Sequence, residues 1–183
     1  ILDVARYEAL NPFSDTVPPR AYTQLPNPQS QFIARNTFAE AIFTEAMNPA
    51  SFTAANAQLK SNNTPLPTTL SYDAETRLLR LTPNELLPAS AEITVWLGPN
   101  LQDEAGNRLD GNLNGTGGEA SDDFSWTFTT GNDVDNSGPS VSDMTLSPSF
   151  AWEGMEVVLT VEFVDSTTPV YSTVRRAEYF IDT

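Results

Sequence analysis

Apolar and polar positions alternate along this chain in short runs. In Glu92-Ile93-Thr94-Val95-Trp96-Leu97 the apolar Ile93, Val95 and Leu97 recur at every second residue, and Phe124, Trp126 and Phe128 do the same in Phe124-Ser125-Trp126-Thr127-Phe128-Thr129. A period of two is that of a β-strand, whose successive side chains point to opposite faces. These two segments are expected to supply much of a core, and their aromatic rings to face inward. Leu79 and Leu81 play the same part in Leu78-Leu79-Arg80-Leu81. Fourteen prolines and many clusters of Asn, Asp, Gly and Ser cut the chain into short runs and leave little room for long helices. Further strands are predicted near 21–25, 37–43, 57–60, 68–72 and 77–82. The result is an all-β chain with the strand count of a two-sheet sandwich. Pro83-Asn84-Glu85-Leu86-Leu87-Pro88 predicts a single helical turn crossing between sheets.

A spaced repeat sets the domain boundaries. Asp15-Thr16-Val17-Pro18-Pro19 returns in altered form as Asp135-Asn136-Ser137-Gly138-Pro139, with the aspartates and the last prolines each 120 residues apart. After each comes a short alternation running to a proline (Pro26, Pro148), and then a strand-like run ending in Phe43 or Phe163. Fixed-period self-similarity marks a modular array. We expect residues 1–13 to be the tail of a preceding element, 14–131 to be one sandwich of about seven strands, and 132–139 to be a linker. Residues 140–183 are then the first part of a second such domain, with strands at 157–163 and 176–182. A partial sandwich has unpaired edges and an uncovered face, so this last segment needs further protein over it.

Composition removes many functions. With 24 acidic and 9 basic residues the formal charge is −15, which repels nucleic acid and anionic lipid. No stretch approaches the roughly 20 apolar residues of a membrane span, so direct membrane insertion is not expected. Without cysteine or histidine there is no disulfide, thiolate nucleophile, soft-metal site or ordinary general base. Two glycosylation-type sequons occur, at Asn62-Asn63-Thr64 and Asn114-Gly115-Thr116.

The acidic residues concentrate in one loop. Asp110-Gly111-Asn112-Leu113-Asn114-Gly115 has side-chain oxygens at positions 1, 3 and 5 and glycine at 6, the order in which a loop wraps Ca2+. Thr116 can offer its carbonyl at position 7. The glutamate expected at position 12 is replaced by Ser121, with Glu119, Asp122 and Asp123 near enough to substitute. The competing reading is a glycine-rich hairpin tip in which Asn and Asp adopt left-handed conformations. A second candidate for calcium is Asp133, Asp135 and Ser137, with Asp103 or Glu153 to complete it from adjoining loops, where a plain linker competes. Asp103 and Asn107 are expected to form a turn.

Five motifs, taken in order, carry a family resemblance. They are Asp15 to Pro19, Phe43-Thr44-Glu45-Ala46-Met47-Asn48, the leucine-rich Leu79 to Pro83, Asp103-Glu104-Ala105-Gly106-Asn107, and Trp126-Thr127-Phe128-Thr129-Thr130. Residues 15–130 thereby resemble the SbsA-type bacterial Ig-like domains first associated with S-layer proteins, and the segment after Gly138 resembles another bacterial Ig-like repeat. The stretch between Asn107 and Phe124 is longer than the family's usual turn. The resemblance implies an Ig-like β-sandwich acting as a spacer or scaffold outside the cell or at its surface, with no active site of its own.

The leading expectation is thus a non-catalytic module of an adhesin, S-layer or filament protein, rigidified by calcium and partnered by neighbouring Ig-like domains or other copies. A variant has the segment from Leu2 to Leu10 completing a neighbour's sandwich by strand donation. The alternative is a carbohydrate-binding or accessory module of a secreted polysaccharide-active enzyme, for which Trp96, Trp152 or Tyr171 would present rings to glycans. Asp122 and Asp123 are unsuited to hydrolysis, because neighbouring residues on a strand face opposite ways.

Overall fold

The structure, a computed structural model, describes residues 15–150, 152 and 154–165. The predicted tail 1–13, with the strand-donating segment, and the predicted strand 176–182 lie outside the described residues.

Two antiparallel four-stranded sheets are formed between Ala21 and Thr129. One has the order β1-β2-β6-β5, formed by β1 (Ala21–Leu25), β2 (Ala39–Phe43), β6 (Leu78–Pro83) and β5 (Thr68–Asp73). The other has the order β4-β3-β7-β8, formed by β4 (Thr64–Leu66), β3 (Ala57–Ser61), β7 (Glu92–Leu97) and β8 (Phe124–Thr129). The alternation that predicts β7 and β8 is also what builds the core. Ile93, Val95 and Leu97 are buried on one strand, Trp126 and Phe128 on its neighbour, with Leu59, Leu79, Leu81 and Phe43 around them. Trp126 keeps its indole N–H satisfied by donating to the Pro26 carbonyl at 3.0 Å.

Two sequence expectations are corrected. The stretch 83–88 is a bend rather than a helical turn; the short 3-10 turn is instead at Pro49–Ser51, where Asn48 caps it and Pro49 sits in its first turn. The 37–43 strand begins only at Ala39, and β4 adds an eighth strand to the sandwich. Asn62 and Asn63, both at positive φ, make the tight turn that pairs β4 with β3.

The sandwich is crossed from end to end by the chain. Ala21 pairs with Phe43, so the chain comes in at the Phe43 end of β2, here the proximal end. It leaves at the Ala39 end, the distal end, where the Arg35 amide donates to the Asp133 carbonyl and Asn36 exchanges two hydrogen bonds with the backbone of Asp135. The proximal loops are joined across the two sheets. Met47 bridges to Asp103, and the Met47 amide donates to the Tyr72 hydroxyl.

After Pro139, β9 (Ser140–Ser147) and β10 (Val158–Val164) form an antiparallel pair. The register sets Leu159 opposite Leu146, Val161 opposite Met144 and, past a bulge, Phe163 opposite Val141. Directly opposed residues share a face. One face is therefore apolar, and Val141, Met144 and Leu146 on it are more than half exposed.

Candidate functional site

The proximal end gathers the polar features. A strap, residues 15–19, leads into β1. It is held by the Asn107 side-chain amide donating to the Asp15 carbonyl at 3.1 Å and by the Asp110 amide donating to the Pro19 carbonyl at 3.0 Å.

Asp110 is the hub of the 110–123 loop. Its Oδ2 accepts from Arg20 Nε at 3.0 Å, from Arg20 Nη2 at 2.7 Å and from the Gly115 amide at 3.0 Å, while Oδ1 accepts from the Asn114 amide at 3.0 Å. Burial alone pushes this carboxyl up, but the bonds from Arg20, Gly115 and Asn114 outweigh it and hold Asp110 below the usual aspartate range. The guanidinium thus supplies the positive charge that a cation would bring to position 1 of the loop. Asn112 and Asn114 also spend their side-chain oxygens on backbone, accepting from the Asn114 and Thr116 amides. The Asn114 side-chain amide donates to Glu119, and that of Asn112 to Ser121.

The remaining predicted ligands have different partners. Asp122 is buried and its Oδ2 accepts from the Glu119 amide at 2.7 Å, whereas its Oδ1 has no hydrogen-bond donor among the described residues. Gly111 lies so close to Asp122 that a Cβ there would sit 2.3 Å from the Asp122 carbonyl oxygen. Asp123 turns away to accept from the Trp96 indole at 3.0 Å. In the second candidate, Asp135 Oδ1 accepts from the Ser137 amide at 3.0 Å, and Asp133 meets Arg35 through its backbone carbonyl.

Three other carboxylates do meet. Oxygens of Asp15, Glu45 and Asp103 lie within 4.8 Å of one another, the one such group of three among the described residues, and of the residues considered from the sequence as calcium ligands it contains Asp103 alone. Such oxygens are donors of the type a hard cation takes. Each comes from a different motif of the resemblance: the strap, the segment after β2 and the turn after β7. Asp103 does form the expected turn, accepting from the Asn107 amide at 2.7 Å and from its side chain at 2.8 Å. No single motif signals the gathering; the bridge between Met47 and Asp103 joins two of the loops, and the Asn107 side chain ties the strap to them.

Burial, then the charges of Asp15 and Asp103, push the Glu45 carboxyl from its ordinary 4.5 up to about 7. Between those values the folded state holds more protons than the unfolded chain, so stability falls as pH rises through this window and the full cost stands above it. Glu45 is partly exposed, and solvent screening reduces that cost to about 1 kcal/mol. Glu45→Gln is expected to match the parent at pH 4 and to exceed its stability at pH 8, read from urea unfolding with chelator present. Parallel pH curves for the two proteins would contradict this.

The tryptophans stand in three different settings. Trp126 is in the core, and Trp96 lies under the ammonium of Lys60, 4.0 Å from its ring centroid. Trp152 is 75% exposed, and Tyr171 lies outside the described residues. No helix among the described residues is long and apolar enough to cross a membrane.

No curated protein matches the chain. Among solved structures, PcoC, a methionine-rich copper resistance protein from Escherichia coli, aligns with a TM-score of 0.46 at 16% identity, over 62% of this chain and 98% of that one. Domains 1–6 of the surface layer protein SbsC align with a TM-score of 0.46 at 17% identity, over 76% of this chain and 16% of that one. An L,D-transpeptidase from Mycobacterium smegmatis aligns with a TM-score of 0.40 at 15% identity, over 62% of this chain and 40% of that one. The family comparison agrees with the two-sheet architecture: residues 15–130 match the bacterial Ig-like domain, and the chain belongs to that family.

Proposed function

We propose that residues 15–135 are a non-catalytic spacer in a multidomain protein displayed at the cell surface or released from it, joined in line to neighbouring domains of the same kind. The observation that carries this reading is the path of the chain, which comes in beside Phe43 and Glu45 and leaves beside Arg35 and Asn36, at opposite ends of the same strand. Modules joined at opposite ends extend a chain rather than fold it back. Both junctions are also tied to the sandwich, the strap by Asn107 and Asp110 and the linker by Arg35 and Asn36, which limits swivelling.

The test is exchange. Replacing residues 15–135 in the parent polypeptide by an unrelated sandwich with termini at opposite ends is expected to preserve its display and reach, while deletion shortens it. Loss of function on exchange would sink the spacer reading.

Calcium at the 110–123 loop is the finer part of this proposal. Asp122 Oδ1, buried without a donor among the described residues, supports it, since a buried acceptor calls for a partner. Asp110, Asn112 and Asn114 contribute less, because their oxygens already serve Arg20 and backbone amides. If the ion binds the folded state, melting curves with calcium and with chelator separate by several degrees, and Asp122→Asn closes the gap. Superimposable curves would leave Arg20 and Asp110 as what holds the loop.

A further inference from the structure

Each four-stranded sheet ends in two edge strands, and the outer amides and carbonyls of an edge are a template for another strand. Three of the four edges are closed. β8 is covered by the segment after β1: the Gln29 amide donates to the Thr127 carbonyl at 2.7 Å, Thr129 to Ser30 at 2.8 Å, Ile33 to Thr129 at 3.0 Å and Gly131 to Ile33 at 2.8 Å. β4 is three residues long and carries Pro65, which has no amide hydrogen to offer. β1 is bulged at Tyr22, where the register steps from Ala21 opposite Phe43 to Thr23 opposite Ile42, and it stops before Pro26. Covering segments, short length, proline and bulges are the usual means of keeping a foreign strand off an edge.

The fourth edge has none of these. β5, Thr68-Thr69-Leu70-Ser71-Tyr72-Asp73, pairs residue for residue with β6, contains no proline or basic residue, and has β6 as its one neighbour. Among the described residues no backbone group of 68–73 bonds to a segment outside the sheet. Every second residue of such a strand turns both its amide and its carbonyl outward, so β5 offers a row of donors and acceptors. Thr68, Leu70 and Tyr72 are half-buried on the core side, while Thr69, Ser71 and Asp73 are exposed on the other.

We propose that β5 is a lateral docking edge at which a second copy of this chain adds its own β5, antiparallel and about a two-fold axis through Ser71. The strand's own pattern selects this occupant. With Ser71 opposite its counterpart, Leu70 stands opposite Tyr72 twice over on the core side, and Thr69 opposite Asp73 on the outer side. A slip of one residue would set the core side of one copy against the outer side of the other. The register centred on Leu70 keeps the faces matched but sets Asp73 opposite Pro67, which has no amide hydrogen. Charge agrees with the pairing. The chain carries −15, yet the exposed side of β5 holds one charge, Asp73. Antiparallel pairing places the two copies of Asp73 at opposite ends of the ladder, about 14 Å apart, whereas parallel pairing would set them side by side. About four to six backbone hydrogen bonds form, a small interface, so single modules pair weakly and modules in series pair in concert. Pairing at the side goes beyond the spacer reading and does not depend on it.

Sedimentation of the full chain over a range of concentrations provides the test. A dimer is expected, with a dissociation constant of about 0.1–1 mM at physiological salt. Ser71→Lys and Ser71→Asp each set like charges directly opposite across the axis and are expected to weaken pairing about fivefold or more, whereas an equimolar mixture of the two variants restores it. Rescue by mixing reads the contact itself, whatever either change does to the stability of its own domain. The chain has no native cysteine, so thiols can report the register. Ser71→Cys is expected to cross-link two copies under mild oxidation much faster than Thr69→Cys, whose counterpart lies about 14 Å away.

A chain that stays monomeric at about 2 mM would overturn the pairing. So would a dimer indifferent to charge at position 71, which would place association on another surface such as the apolar face of β9 and β10, or equal cross-linking at positions 69 and 71. The spacer reading would survive each of these results, because the exchange of residues 15–135 tests it separately.

Discussion

Phe128→Ala is expected to cost about 3–5 kcal/mol, the range for deleting a buried aromatic ring whose surroundings cannot close over the space. Phe128 is 1% exposed, stands opposite Ile93 in the register of β7 and β8, and shares its face of β8 with Trp126. Its strand is held on one side by β7 and on the other by the 29–33 segment, so the backbone has little freedom to sink into a cavity. Since domains of this size are stable by only about 5–15 kcal/mol, the variant should lose much of its cooperative unfolding transition. Phe128→Leu, which keeps most of the volume, should cost about 1–2 kcal/mol. Urea titrations of the two variants and the parent provide the measurement. An alanine variant within 1 kcal/mol of the parent would mean that β8 presents its other face to the core.

Asp110→Ala is the second large effect, about 2–3 kcal/mol near neutral pH. The substitution strands the Gly115 backbone amide, leaves the Asn114 amide with Asn112 Oδ1 alone, and leaves the Arg20 guanidinium without its carboxylate. Arg20 is 41% exposed and can turn to water, which keeps the loss below that of a fully buried pair. The pH dependence follows from the depressed Asp110 pKa. The unfolded carboxyl titrates near 3.8 and the folded one lower, so the stabilisation is complete above the unfolded value and disappears as pH falls through the folded one. The gap between parent and variant should therefore be flat from pH 5 upward and narrow below pH 4. A gap that widened on acidification would refute the assignment.

Strand alternation made most of the fold legible. Strands 92–97 and 124–129 were readable to the residue, because strict period-two patterns end there at glycine or a change of pattern, and 21–25 was readable from a looser alternation that stops at Pro26. β4 escaped because Thr64-Pro65-Leu66 is too short to show a period and carries a proline, which only an edge position tolerates. The bend at 83–88 looks helical in sequence because two leucines sit between prolines, yet the Leu87 amide donates to the Arg35 carbonyl rather than along its own turn. Polar partners were harder to foresee than strands. Arg20 and Asp110 are 90 residues apart, and nothing near the loop announces that an arginine from another motif will reach it. The spacing of oxygens at 110, 112 and 114 was real chemistry, but in the fold much of it is directed at neighbouring amides. Glu45 shows the reverse case: an unremarkable glutamate in sequence, it becomes a perturbed carboxyl once Asp15 and Asp103 stand beside it.

Asparagine followed by glycine is the dipeptide most given to ageing, since the glycine nitrogen can close on the asparagine side-chain carbonyl carbon and expel ammonia. Asn114-Gly115 is such a pair, but its would-be attacking nitrogen is tied to Asp110 and its leaving amide to Glu119. Ring closure must wait for the loop to open. Arg20, by keeping Asp110 in place, also sets how long this stretch lasts undamaged, a matter of weight for any molecule that outlives the cell's means of repairing it.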